Sequence, residues 1–156
     1  MSSDQKHFKS IATNKRGHFD FSFSDKFEVG IVLHGHEVKS LRSNSVTLRD
    51  AYARIFNNEL WLVGCHIPAY KFGGQFSTVD MTRNRKLLIH RKQLNRLIGK
   101  VKEKGLTIIP LKLYFKNHLV KLEVGLGKSK KAYDKRQVIK SRDLKREIQQ
   151  AYKVRR

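Results

Sequence analysis

The sequence predicts a small, mainly β protein with added helices. Three observations carry that class. Several runs alternate apolar and polar residues with a period of two, turn-forming residues separate some of those runs, and one stretch has a clear helical period. With 156 residues, 39% of them hydrophobic, the chain can bury the core of one domain and still carry an appended segment.

Taken in order, residues 1–17 form a basic N-terminal segment in which Asn14, Lys15 and Arg16 precede Gly17. HFDFSFS then sets Phe19, Phe21 and Phe23 against His18, Asp20 and Ser22. KFEVGIVL keeps the period, with Phe27, Val29, Ile31 and Leu33 on one face, as in a half-buried strand. The period breaks at HGHEVKSLR, where a short helix or turn fits residues 37–42. AYARIF and ELWLVGCHI, separated by Asn57 and Asn58, read as a hairpin. Pro68 ends that pattern, and residues 70–85, with Gly73 and Gly74, read as a loop.

Leu94, Leu97, Ile98 and Val101 fall at i, i+3, i+4 and i+7 of a helix, and Gly105 suits the residue just past its end. A second hairpin follows: Leu111, Leu113 and Phe115 on one strand, Val120, Leu122 and Val124 on the other, with Lys116, Asn117 and His118 in the turn. Pro110 cannot donate to a ladder, so a strand start or edge is its expected place. Short strands with one good helix fit a small oligonucleotide-binding-type β-barrel over residues 18–127, followed by a basic tail at 128–156.

Charge says more about function than periodicity does. Of the net +21, +9 belongs to residues 128–156 and +12 to the rest, so body and tail are both cationic. The usual physical reason is a polyanionic partner, above all nucleic acid; charge kept only for solubility is the weaker reading. A membrane surface would want a basic amphipathic helix with a broad apolar face, or a lipidation motif, and the sequence offers neither. MSSDQKHFKS has no apolar signal core, and no apolar run approaches the ~20 residues of a spanning helix. Cys65 is the single cysteine, so no intrachain disulfide is possible. Together these point to a cytoplasmic protein with no membrane partner, and a monomer is the expected state.

Within the tail, Leu144, Ile148, Ala151 and Tyr152 make a narrow helical stripe on a charged cylinder. Arg142 precedes Arg146 by four residues and Asp143 precedes Glu147 by four, both like-charge pairs. The tail is therefore expected to be disordered when free and helical once a polyanion neutralises it. Its alternative is a helix docked on the body through Leu144, Ile148 and Tyr152.

No motif for catalysis, metal or cofactor emerges. His34, His36 and Glu37 lack a further ligand at recognisable spacing, and adjacent Cys65 and His66 would point to opposite faces of a strand. Gly125, Gly127 and Lys128 in GLGKSKK are similar to a phosphate loop but lack its glycine spacing. A basic ribonuclease built on His and Lys carries no local motif and stands as the weakest reading. The expectation is a non-enzyme without cofactor; a generic basic RNA-binding or ribosomal protein is the main alternative to a dedicated RNA partner.

Four segments narrow this further: GHEVKSLR at 35–42, NRKLLIHRK at 84–92, IIPLKLYFK at 108–116 and GLGKSKKAYDKR at 125–136. In order and spacing they resemble the SsrA-binding protein family, also called small protein B, across residues 14–136; His36 departs from the family's usual residue at its position. The resemblance implies a barrel of the same type with added helices and a tail unstructured off the ribosome. It also implies binding to the tRNA-like domain of transfer-messenger RNA (SsrA RNA) and delivery to stalled ribosomes with elongation factor Tu–GTP for trans-translation. The body would stand in for a missing anticodon arm, and the tail would enter the empty mRNA channel of the 70S ribosome as a helix. No catalysis is implied.

On that footing Asn14, Lys15, Arg16, Glu37, Lys39, Ser40 and Arg42 are the expected contacts to transfer-messenger RNA. Arg83, Arg85, Lys86 and Lys128 would add phosphate contacts, and Tyr70 or His90 could stack on bases. Glu37 is expected to accept hydrogen bonds from base edges or 2′-hydroxyls, with an ion pair to Lys39 or Arg42 as its structural alternative. In the tail, Asp134, Lys135 and Arg136 match the family's motif and the two cations would meet rRNA near the decoding centre. Lys140, Arg142 and Lys145 would add charge there, while Tyr133, Leu144, Ile148 and Tyr152 would set helix geometry or stack.

Overall fold

Asn57 and Asn58, at φ 48° and 56°, take the left-handed conformation that a two-residue hairpin turn requires, which asparagine tolerates better than most residues. They join two strands of the computed structural model, which describes residues 8–43, 46–71 and 79–154. In chain order the elements are β1 (Phe8–Thr13), α1 (Lys15–Asp20), β2 (Phe21–Ile31), α2 (Gly35–Arg42), β3 (Tyr52–Phe56) and β4 (Glu59–Val63). Then come β5 (Arg85–Leu88), α3 (Arg91–Lys104), β6 (Thr107–Lys116), β7 (Leu119–Ser129) and α4 (Ala132–Val154).

The strands close on themselves. Antiparallel pairing runs from β6 to β3, β4, β5, β2 and β7, and β7 returns to β6. Two seams are short: β3 meets β6 only at Ala53 opposite Ile108, and β2 meets β5 at Gly30 and Ile31. The ring is therefore barrel-like but unevenly closed, and β1 lies outside it on residues 112–116 of β6. Phe27, Val29, Leu60, Leu62, Leu87, Leu113, Leu122, Val124 and Leu126 point inward and are buried, with Leu41 of α2 and Leu94 and Leu97 of α3 packed among them. That cluster is the inward half of each alternating run, so the two-residue period and the core report the same fact.

The expected architecture stands, with local differences that have physical causes. The aromatic alternation from His18 does not begin a strand: residues 18–20 finish α1, because the Asn14 side chain accepts from the Gly17 N–H at 2.8 Å and starts a helical turn. The expected loop ends one residue early, since Arg85 opens β5; residues 72–78, with Gly73 and Gly74, lie outside the described residues. Pro110 sits inside β6, at an irregularity opposite Val124 where pairing shifts between Pro110 and Lys112, a position that tolerates a missing N–H. Gly125 and Gly127 lie inside β7, where an added Cβ at Gly125 would come within 2.6 Å of the Phe23 ring and 2.8 Å of Leu111. They make room for an aromatic ring in the sheet rather than cradling a phosphate.

Candidate nucleic-acid interface

Four of the residues expected to touch RNA turn inward, and all four hold backbone in place. Asn14 is buried; besides capping α1 it donates Nδ2–H to the Pro110 carbonyl at 2.9 Å, and its N–H donates to the Leu111 carbonyl. Ser40 is buried and donates its hydroxyl to the Pro68 carbonyl at 2.6 Å. Glu37, 2% exposed, accepts from Nε of Arg83 and of Arg85 at 2.9 Å each, from Arg83 Nη2 at 2.6 Å and from the His34 N–H at 2.9 Å. Arg85 is fully buried and fans its remaining donors onto the carbonyls of Cys65, Met81 and Arg83.

These placements correct the expectation for Glu37 and Arg85 in particular. Glu37 presents no acceptor to a base edge, and its ion pairs run to Arg83 and Arg85 rather than to Lys39 or Arg42. Arg85 has no exposed donor for a phosphate. The reason is geometric: the β5 register turns Arg85 to the inner face beside the first residues of α2, where only a paired cation is tolerated. Together the two arginines tie residues 81–85 to the start of α2 and to Cys65, two residues past the end of β4. Burial of Glu37 pushes its carboxyl up, but hydrogen bonds from Arg83, the His34 N–H and Arg85 outweigh it and hold the pKa at about 2. Cys65 beside them is pushed up by burial to about 11, which leaves an inert thiol.

A pH dependence follows with a definite sign. A carboxyl depressed in the folded state stabilises the fold above its unfolded pKa, ~4.3 for glutamate. That contribution is lost as pH falls through about 2. Glu28, lowered by hydrogen bonds from Tyr114 and Lys116, acts in the same direction. The slope of unfolding free energy between pH ~4.3 and 2 should be visibly flatter in Glu37→Gln than in the parent, as measured by denaturant titrations across that range.

The outward-facing expected contacts are Lys15, Arg16, Lys39, Arg42 and Lys128, with Lys86 half-exposed. Arg16 bonds Asp20 and Asp50 at 3.4 Å, weak exposed pairs that a phosphate could replace. Lys39 lies 6.0 Å from the centroid of Tyr70. Arg83 keeps a partly exposed guanidinium while pairing Glu37. Lys128 extends from the end of β7 opposite Ser22. Sequence reasoning missed Arg49, an exposed cation that lines a shallow cleft with Lys15 and Arg16; it stands outside every periodic run, and only the fold brings it to them.

The tail, expected to lack structure on its own, is one 23-residue helix, α4. Its length exceeds the ~12–15 residues below which isolated helices are marginal, Asp134 sits in its positively polarised first turn, and Gln137 donates to the Tyr133 hydroxyl one turn away. None of its residues is buried. Leu144, Ile148 and Tyr152 stay 59%, 48% and 73% exposed, so they do not dock the helix on the body. Contact with α1 is made instead by Lys135, paired to Asp20 at 3.2 Å, and Arg142, over the Phe19 ring at 5.6 Å. Tyr133, Asp134, Arg136, Lys140 and Lys145 are exposed along the same helix.

Such a molecule belongs to the class of small β-ring proteins that present cationic surface on a packed body and on a protruding helix. Among the described residues no helix could cross a membrane and no cluster of His, Cys, Asp or Glu could hold a metal ion. The family follows from sequence: the model of the SmpB protein family matches residues 11–154, and the chain belongs to that family. SsrA-binding proteins of Sulfurihydrogenibium sp. and Carboxydothermus hydrogenoformans are 49% and 50% identical to it, over 93% and 94% of this chain and 95% and 98% of theirs. A chain from a solved structure described as "tmRNA-SmpB: a journey to the center of the bacterial ribosome" superposes with a TM-score of 0.64 at 43% identity, covering 78% of this chain and 85% of the other.

Proposed function

We propose that the protein binds the tRNA-like domain of transfer-messenger RNA through its body and delivers that RNA to stalled ribosomes for trans-translation. The observation that carries the reading is the division of labour in the charge. A packed cationic body is joined to a long cationic helix that buries nothing of its own, as expected of two surfaces meeting two different RNAs. The names of the relatives supply the RNA, and the structural neighbour supplies the ribosome.

In this reading Lys15, Arg16, Lys39, Arg42, Arg83, Lys86 and Lys128 meet transfer-messenger RNA phosphates. Asn14, Glu37, Ser40 and Arg85 support the backbone that presents them. The α4 helix enters the empty mRNA channel, with Lys135 and Arg136 on rRNA of the decoding centre and Lys140, Arg142 and Lys145 along the channel wall. The protein acts in the cytoplasm as a monomer without catalytic chemistry, and elongation factor Tu–GTP joins through the RNA. A reconstituted reaction tests it: ribosomes stalled on a truncated message, charged transfer-messenger RNA and elongation factor Tu should add the tag peptide only when this protein is present. Tagging at equal yield without the protein, or none with it, overturns the reading.

A further inference from the structure

The outer face of β3–β4–β5 carries a feature of which the contacts above use only Lys86. Arg54 of β3 stands opposite Trp61 of β4, and Trp61 stands opposite Lys86 of β5, so one row across three strands reads cation, indole, cation. On the same face of β3, Phe56 is 53% exposed with the Arg54 guanidinium 5.5 Å from its ring centroid, and Tyr52 is 41% exposed. The inward residues of these strands, Ala53, Leu60, Leu62 and Leu87, are buried in the core, so the row and the rings face away from it. Strand-face aromatics beside cations are poorly explained by folding. Exposing them costs water-ordered apolar area, and a stacked guanidinium retains its charge for a partner.

We infer that this face is a stacking platform for unpaired RNA bases, a surface added to the phosphate contacts proposed above and resting on that RNA-binding reading. The chemistry selects the partner. Phe56 and Tyr52, on either side of Arg54, offer exposed π-faces to bases with the half-buried Trp61 ring beside them, and Arg54 and Lys86 offer positive charge to the connecting phosphates. A paired helix cannot use such a platform, because its bases are already stacked and only its backbone and groove edges are open. The partner is thus a loop or bulge with splayed bases. Glu59, paired to Lys86 at 2.7 Å, is the single acid of the patch and holds that lysine over β4 until a phosphate competes for it.

Trp61 is the only tryptophan, so its fluorescence reports this face alone. The intact protein is titrated with an unstructured RNA of a dozen nucleotides, with the same RNA annealed to its complement, and with the transfer-messenger RNA tRNA-like fragment. The expected result is quenching by the unpaired RNA and by the fragment, and little by the duplex. Phe56→Leu should lower affinity for the unpaired RNA roughly 5- to 100-fold with an unchanged salt slope, and Phe56→Tyr should restore it. Arg54→Ala should lower both affinity and the slope, the latter by about one. Binding of the unpaired RNA with unaltered Trp61 emission and with Phe56→Leu at parental affinity overturns the platform alone and would leave the face to a protein partner. Quenching by the unpaired RNA without preference for the tRNA-like fragment would keep the platform and count against transfer-messenger RNA as the partner. Failure of the parent protein to bind any of the three RNAs sinks both proposals.

Discussion

Replacing Glu37 with alanine should lower the free energy of unfolding by about 3–5 kcal/mol, the usual cost of removing one partner from a buried ion pair. The carboxylate is the common acceptor for Arg83, Arg85 and the His34 N–H, and Arg85 has no water to turn to when it is gone. Glu37→Gln, which keeps shape and acceptor but loses charge, should fall between alanine and the parent. A paired change, Glu37→Leu with Arg85→Met, should recover part of the loss because no uncompensated charge remains. Urea titrations at neutral pH measure all of these. The same variants separate support from recognition: with Glu37 buried, binding to cognate and unrelated RNA should fall together, in proportion to the fraction unfolded. A selective loss on cognate RNA with unchanged stability would return Glu37 to direct contact.

Removing residues 132–156 should have the opposite signature: almost no effect on folding and loss of tagging. The described contacts of α4 with the body include a half-exposed ion pair, Lys135 with Asp20, and a cation over the Phe19 ring. Pairs of that kind are worth about 0–1 kcal/mol each, so thermal unfolding should shift by only a few degrees. Binding of the tRNA-like fragment should persist at low salt, weakened only by the lost cations, while tagging in the reconstituted reaction drops to background. Truncation that destroys RNA binding as well would mean that helix and body share one RNA and that the two-surface account fails.

The contrast between these variants follows the line between what the sequence could tell and what it could not. Both hairpins were legible because their turns are chemically marked: Asn57 and Asn58, and Asn117 and His118, all take positive φ. The α3 helix was legible from its period and from Gly105, which ends it in the left-handed conformation. The β1 strand was not, because an edge strand outside the ring buries little and FKSIAT shows no alternation. Nor were the roles of Asn14 and Arg85. Their partners at Pro110 and Glu37 lie 96 and 48 residues away, and a buried, paired arginine has the same letter as a solvated one. The fold separates the residues of segments 35–42 and 84–92: Lys39, Arg42 and Lys86 reach solvent while Glu37, Ser40 and Arg85 hold the scaffold.

The measurement closest to the central claim is a salt titration of binding to the tRNA-like fragment and to an unrelated hairpin of equal length. A protein held by charge alone through ~6–10 phosphates loses on the order of 10³–10⁵ in affinity between 50 and 200 mM salt. The account predicts that collapse for the unrelated hairpin, while the tRNA-like fragment stays tightly bound at the higher salt. Equal collapse on both RNAs would contradict it and leave a non-specific basic RNA-binding protein.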